Sequence, residues 1–384
     1  MEKSTSLKTV AKIALVGSML ATPTTAKTNN EVDKSSVLPN AITTETFVPN
    51  TPLAVNEYHT HTHTHTHTPD TVEPTETPEP TQTSEPVIYK EEREHLKNIM
   101  KEYGQVDQEK LSDAYWTRIK EGIDKYGEAK RIVAFEFHGD NYSMYESTYS
   151  MTPQSFEKQM TYLTKNDYHF VTVPEIVGYI EGWLKLPARS VILTTDSGST
   201  SMESLPRMTA LADKLKSEYG YAPHYNSYIW TKDMTPEESK GCPNDKCWAT
   251  FRDALKSGYF SFGTHTESHR DFASLSFEEG LADLEQSRKE IKDNMGITVN
   301  GISWPFESTP PWMNKLKEHE FFYGYGGRSR SLDQGYTYSS DNLAMALPRI
   351  LPPNPSGVSG RPDGQTLEQI LNRMINSYSP LKSK

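Results

Sequence analysis

Cysteine is nearly absent. The 384 residues hold two, Cys242 and Cys247. Two thiols are too few for a structural zinc site, which usually takes four protein ligands. Four residues separate them in Gly241-Cys-Pro-Asn-Asp-Lys-Cys247. That spacing suits a small disulfide loop if the chain is exported; two unpaired thiols in a surface loop are the plainer alternative. Also missing is any block of Lys and Arg long enough to form a nucleic-acid surface. With 40 basic against 51 acidic residues the net charge is -11, which argues against DNA or RNA as a partner. No segment approaches the roughly 18 consecutive apolar residues of a membrane-spanning helix. Hydrophobic residues make up only 35% of the chain, low for a compact protein. Much of that deficit sits in residues 1–85, so the core must be built from the rest.

The beginning of the chain reads as an export signal over residues 1–26. Lys3, Lys8 and Lys12 precede an apolar run from Ile13 to Ala21, and Thr24-Thr25-Ala26 is a plausible cleavage end. A chance apolar stretch in a disordered N-terminus is the alternative. Residues 27–86 are rich in Thr, Pro, Glu, Asn and Ser. Such a segment buries too little surface to offset its ordering entropy and is expected to be a disordered, solvated stalk. Within it lies His59-Thr-His61-Thr-His63-Thr-His65-Thr-His67, five of the 12 histidines. Neutral imidazoles are good transition-metal ligands; a low-complexity repeat in a tether is the plainer reading. A secreted or cell-surface location follows from these segments together, with no transmembrane helix in the mature chain.

Residues 87–129 change character. Leu96, Ile99, Met100 and Tyr103 fall at helical spacing, as do Leu111, Tyr115, Ile119, Ile123 and Tyr126. Two short amphipathic helices, a helical neck, are predicted. Residues 130–378 then alternate strands and helices. Strands are expected over Arg131–Phe137, His169–Val173, Ser190–Thr194, Tyr225–Trp230, Tyr259–Phe262 and Gly301–Trp304. Helices are expected over Ser155–Asn166, Pro174–Gly182, Leu205–Tyr219, Trp248–Ser257 and Phe277–Met295. This α/β alternation predicts a mostly parallel sheet, open or closed into a barrel, in one barrel-sized domain.

Against these strands a few polar residues stand out. His138 follows the first strand. Asp196 follows Val191-Ile-Leu-Thr-Thr195, and His265 follows Tyr259-Phe-Ser-Phe-Gly-Thr264. Trp304-Pro305-Phe306 closes the strand begun at Gly301. In α/β barrels the C-terminal strand ends converge on one face, where catalytic groups sit. His265-Thr-Glu-Ser-His269 adds a spacing at which two imidazoles share one face of a helical turn and reach one ion; two capping or solvated histidines are the alternative.

These residues resemble the polysaccharide deacetylase family, also called the NodB-homology domain, over roughly residues 130–352. The family's T-F-D-D-G is similar to Thr194-Thr-Asp-Ser-Gly198, its H-[S/T]-x-x-H to His265-Thr-Glu-Ser-His269, and its x-P-[YF] loop to Trp304-Pro305-Phe306. Phe137-His138, Met151–Met160 and Leu347-Pro-Arg-Ile350 look like the poly-N-acetylglucosamine deacetylase branch. The resemblance implies a distorted (β/α) barrel that hydrolyses N-acetyl groups of an N-acetylglucosamine polymer. It implies a divalent ion, zinc above others, on His265 and His269, with Asp196 as base and His138 as acid. Trp304, Pro305 and Phe306 would line the substrate groove. The family's second Asp, a metal ligand, is Ser197 here. Either another carboxylate (Asp140, Glu267 or Glu307) substitutes, or the ion is weakly held with water, or Asp196 becomes the ligand. A glycan-binding protein without turnover is the competing function.

Overall fold

The structure, a computed structural model, describes residues 87–137, 151–235, 245–326, 344–352 and 366–376. The export signal, the stalk and the His-Thr tract lie outside these residues, as do His138 and Cys242.

The first two helices are α1 (Val87–Tyr103) and α2 (Asp113–Tyr126). The Ser112 side chain accepts from Tyr115 N and caps α2. The buried residues Leu96, Met100, Tyr103, Tyr115, Trp116 and Ile119 belong to one cluster with Val171, Ile176, Ile192 and Tyr228. The neck helices therefore share a core with the sheet.

The strands are β1 (Val133–Phe137), β2 (His169–Phe170), β3 (Ser190–Ser197), β4 (Tyr225–Ile229), β5 (Phe260–Thr264), β6 (Gly301–Ser303) and β7 (Tyr323–Tyr325). They pair in parallel in the order β1-β3-β4-β5-β6-β7, with β2 beside the start of β3. Every strand residue is buried. A parallel sheet covered on its faces requires this, and explains why its strands read as continuous apolar runs. Between the strands run α3 (Pro153–Lys165), α4 (Val173–Glu181), α5 (Ser204–Tyr219), α6 (Lys246–Lys256) and α7 (Phe277–Met295), with α8 (Leu367–Asn376) last. Ser276 and Glu279 form a capping box on α7, and Gly296 ends it in the left-handed conformation.

The sheet closes through a segment with no regular strand. Leu347 bridges Tyr325 and Ile350 bridges Phe135, both in parallel. Gly326 N donates to Leu347 O at 3.0 Å and Ile350 N to Ala134 O at 2.8 Å. Residues 347–350 thus link β7 to β1 and bring the sheet round into a distorted (β/α) barrel.

Two expectations change. Strand β3 runs on to Ser197, so Asp196 pairs with Tyr228 and Ser197 with Ile229 in the ladder; the motif is the end of the strand, not the loop after it. Strand β2 is only two residues long, because α4 begins at Val173. Strand β7, the closing segment and α8 went unpredicted, the first two being too short for a periodic signal.

At the N-terminal ends of the strands lies a buried polar hub. Glu175 Oε2 accepts from Thr172 N and Thr172 Oγ1, both at 2.7 Å. Glu175 Oε1 meets His169 Nε2 at 2.8 Å and accepts from Tyr115 Oη of the neck. Burial works to raise the Glu175 carboxyl. The charges of His169 and Lys110, with the hydrogen bonds of His169 and Tyr115, outweigh it and hold the group far below the usual carboxylate range. Lys110, also buried, is held up in turn by Glu175 against its own desolvation. Replacing Glu175 by Ala removes the acceptor of Thr172, Tyr115 and His169 together with the largest attraction on buried Lys110, and should cost about 3–5 kcal/mol in urea unfolding at pH 7. Because its folded pKa is depressed, the Glu175 contribution is full above the unfolded value of 4.5 and is lost as pH falls below it. The gap between parent and Glu175→Ala should therefore narrow in acid.

Candidate active site

Four elements deliver polar side chains to the C-terminal end of the barrel. Asp196 comes from the end of β3 and Ser303 from the end of β6. His265 directly follows β5. Arg349 comes from the closing segment. Arg349 Nη1 donates to Asp196 Oδ1 at 2.7 Å and Nη2 to Oδ2 at 2.9 Å, a bidentate pair. Arg349 Nη2 also lies 3.0 Å from Glu136 Oε1 on β1. Ser303 Oγ adds a donor to Asp196 Oδ1 at 2.8 Å. All four side chains, Glu136 included, are buried. Burial works to lower the Arg349 guanidinium, but Asp196 and Glu136 raise it well above its ordinary value, so it stays charged.

The His265 ring is oriented by the same strand end. Its Nδ1 lies 2.7 Å from the Ser303 carbonyl. A carbonyl only accepts, so Nδ1 carries the proton. Burial, with the charges of His269 and Arg349, pushes this imidazole down to about 4 despite the opposing pull of Asp196. At neutral pH the ring is uncharged and Nε2 presents a lone pair. That lone pair faces Asp196 Oδ2 at 3.8 Å. Two lone pairs across one gap suit a cation or a proton-bearing water between them. An imidazole fixed through its other nitrogen is also how metal-ligating histidines are held.

His269 stands beside it, with ring centroids 4.8 Å apart, and burial lowers its pKa too. The two rings do not share a helical turn, contrary to the spacing argument. Residues 265–271 are a loop in which Thr266 (φ 71°) and His269 (φ 53°) adopt the left-handed region. Side-chain bonds fix this backbone. Thr266 N donates to Thr264 Oγ1 at 2.9 Å and His269 N to Thr266 Oγ1 at 3.0 Å. Asp283 of α7 accepts from Glu267 N at 2.8 Å, from Ser268 N at 3.3 Å and from Ser268 Oγ. Phe306 (φ 58°) and Glu307 (φ 54°) repeat the conformation in the neighbouring loop. Four of the six described non-glycine residues with positive φ thus fall in these two loops, and strain of this kind collects where a site is shaped.

Ser197 does not supply the third ligand that the resemblance calls for. Ser197 is buried and its hydroxyl accepts from Ser227 Oγ at 2.9 Å. Gly198 next to it has no side chain where Asp233 needs room: a Cβ there would lie 2.3 Å from Asp233 Oδ2. Asp233 accepts from Ser199 N at 2.6 Å. Among the described residues, no group of three His, Cys, Asp or Glu side chains is placed to hold a metal ion. The two imidazoles fit a divalent ion as donors, and the set is one protein ligand short of the usual catalytic three.

Of the predicted residues, the structure brings Asp196, His265 and His269 together. Trp304 is fully buried and its indole donates to Met345 O at 2.8 Å. It packs against Phe272 and Trp312 with no exposed surface, which corrects its expected groove role. Pro305 is buried as well, while Phe306 is 67% exposed against His269. Cys247 is buried in α6; its partner, like His138, lies outside the described residues. Sequence reasoning missed Arg349, Glu136, Ser303 and Asp283 as site residues. Glu136 did carry a signal: a carboxylate inside Val133-Ala-Phe-Glu-Phe137 must find a buried counter-charge.

Residues 184–321 match the polysaccharide deacetylase family. Among curated proteins none matches the chain. Solved structures that resemble it include a polysaccharide deacetylase from Bacillus cereus, with 18% identity, 65% of this chain and 70% of that chain covered, and a TM-score of 0.49. IcaB from Ammonifex degensii matches at 18% identity over 65% and 98%, TM-score 0.48. The Streptococcus pyogenes deacetylase PplD matches at 16% over 60% and 96%, TM-score 0.45.

Two measurements check the site. Arg349→Gln leaves two buried carboxylates without their cation and should cost about 3–5 kcal/mol in urea unfolding. In the metal-free protein an NMR titration should find the His265 ring neutral at pH 6, with a midpoint near 4; a midpoint at the free-histidine value of 6.5 would contradict the buried geometry.

Proposed function

We propose that this chain, which carries a polysaccharide deacetylase domain across residues 184–321, hydrolyses N-acetyl groups of an N-acetylglucosamine polymer at the cell surface. The observation that carries the reading is the clamped carboxylate. Asp196 is held at both oxygens by Arg349 and faces the neutral Nε2 of His265. A base must be aimed before it can act, and a bidentate guanidinium with a serine donor aims this one. In the proposed reaction Asp196 takes the proton of the attacking water. His138, the next residue in sequence after β1, is proposed to return a proton to the leaving amine. A divalent ion, zinc being the expected one, would be held by His265 and His269 and would polarise the acetyl carbonyl. The surface location rests on the lysine-flanked apolar run and the Thr/Pro-rich stalk of the sequence, and a Cys242–Cys247 disulfide on the same export. Among the described residues no helix is long and apolar enough to cross a membrane.

One feature favours a second reading, a glycan-binding domain without turnover. The hydroxyl at Ser197 cannot replace a carboxylate ligand and is already paired with Ser227.

Acetate release from N-acetylglucosamine oligomers, with zinc, cobalt or nickel, separates the two. Under the first reading the parent is active and Asp196→Asn loses at least about a hundredfold. A parent inactive with every metal, but active as Ser197→Asp, sinks the first reading and establishes the second.

A further inference from the structure

Trp230, immediately after β4, has no place in the family motifs of this chain. Its backbone N–H is fixed on Ser197 O at 2.9 Å. Its ring lies against His269, with centroids 4.7 Å apart and planes at 40°. Phe306 packs against the same imidazole at 4.9 Å and 81°. The three rings form one rim at the barrel mouth, with Phe306 standing 67% exposed. Trp230 Nε1–H is buried and has no hydrogen-bond partner. An unpaired buried donor is unfavourable until an acceptor reaches it. The indole of Trp304, by contrast, is fully buried and already bonded to Met345 O. Trp230 is thus half-buried, apolar on its face, unsatisfied at its edge and adjacent to the reacting groups.

We propose that Trp230 determines specificity for an N-acetylated pyranose. Its face and that of Phe306 carry the C–H surface of the sugar. Its indole N–H, turned outward on binding, donates to the acetamido carbonyl. This rests on the polysaccharide reading above and adds the residue that reads the acetyl group.

The test is calorimetric titration of the full chain, in EDTA to suppress turnover, with an N-acetylglucosamine pentamer and with a glucosamine pentamer. The quantity read is the ratio of the two affinities, and its change on substitution. The parent should favour the acetylated pentamer. Trp230→Phe keeps an aromatic face but no donor, and should lose that preference. Trp230→Ala should weaken binding of both oligomers by about tenfold. Far-UV circular dichroism melts confirm folding, and if Trp230→Ala does not fold, Trp230→Phe decides alone. A Trp230→Phe variant with the parent's preference overturns the proposal while leaving the polysaccharide reading intact. A parent that binds neither pentamer overturns that reading and the proposal together.

Discussion

The site depends on one buried cation. Arg349 sits between Asp196 and Glu136, all three out of water. Burying charges is costly, and a buried pair repays that cost only with good geometry and further hydrogen bonds. Here the geometry is bidentate, and Ser303 supplies an additional donor. The same contact performs a structural task. Glu136 lies on β1, Asp196 on β3 and Arg349 on the segment that joins β7 to β1. Closing the barrel and aiming the carboxylate are one event, so the site cannot form before the sheet has come round.

The imidazoles are held by different means. The loop 265–271 is fixed mainly by hydrogen bonds, with Arg270 Nη2 3.8 Å from Asp283 Oδ2 as its ion pair. Backbone N–H groups are captured by Thr264, Thr266 and Asp283, and two residues are forced into the left-handed region. That conformation costs a β-branched threonine more than most residues. It persists because five side-chain hydrogen bonds over-determine it. The result is two neutral rings side by side, one of them with its proton on Nδ1 and its lone pair toward Asp196. The opposite end of the barrel uses the ionic solution again. Glu175 gathers His169, Tyr115 and Thr172 with Lys110 nearby, which ties the neck helices to the sheet.

Ser197 sets the chemical character of the site. In the ladder it pairs with Ile229, and its hydroxyl turns to Ser227. A neighbouring carboxylate, Asp233, accepts from Ser199 N and fits only because residue 198 is glycine. The hydroxyl at 197 is held in the ladder and paired with Ser227, and residue 198 cannot carry a side chain beside Asp233. At the mouth Trp230 and Phe306 both pack against His269.

The alternation of apolar runs with amphipathic segments determined the α/β class and most helix and strand positions. Such periodicity is a local consequence of which faces must be buried. The motifs Thr194-Thr-Asp-Ser-Gly198 and His265-Thr-Glu-Ser-His269 likewise placed the carboxylate at the end of one strand and both imidazoles in the loop after another. What the sequence could not determine was non-local. Arg349 is separated from Asp196 by 153 positions and lies on a segment with no periodicity, so its pairing exists only once the barrel closes. Trp304 and Trp230 are both tryptophans after a strand. Only tertiary packing buried the first against Met345 and left the second at the mouth, because exposure is a property of what the neighbouring elements cover.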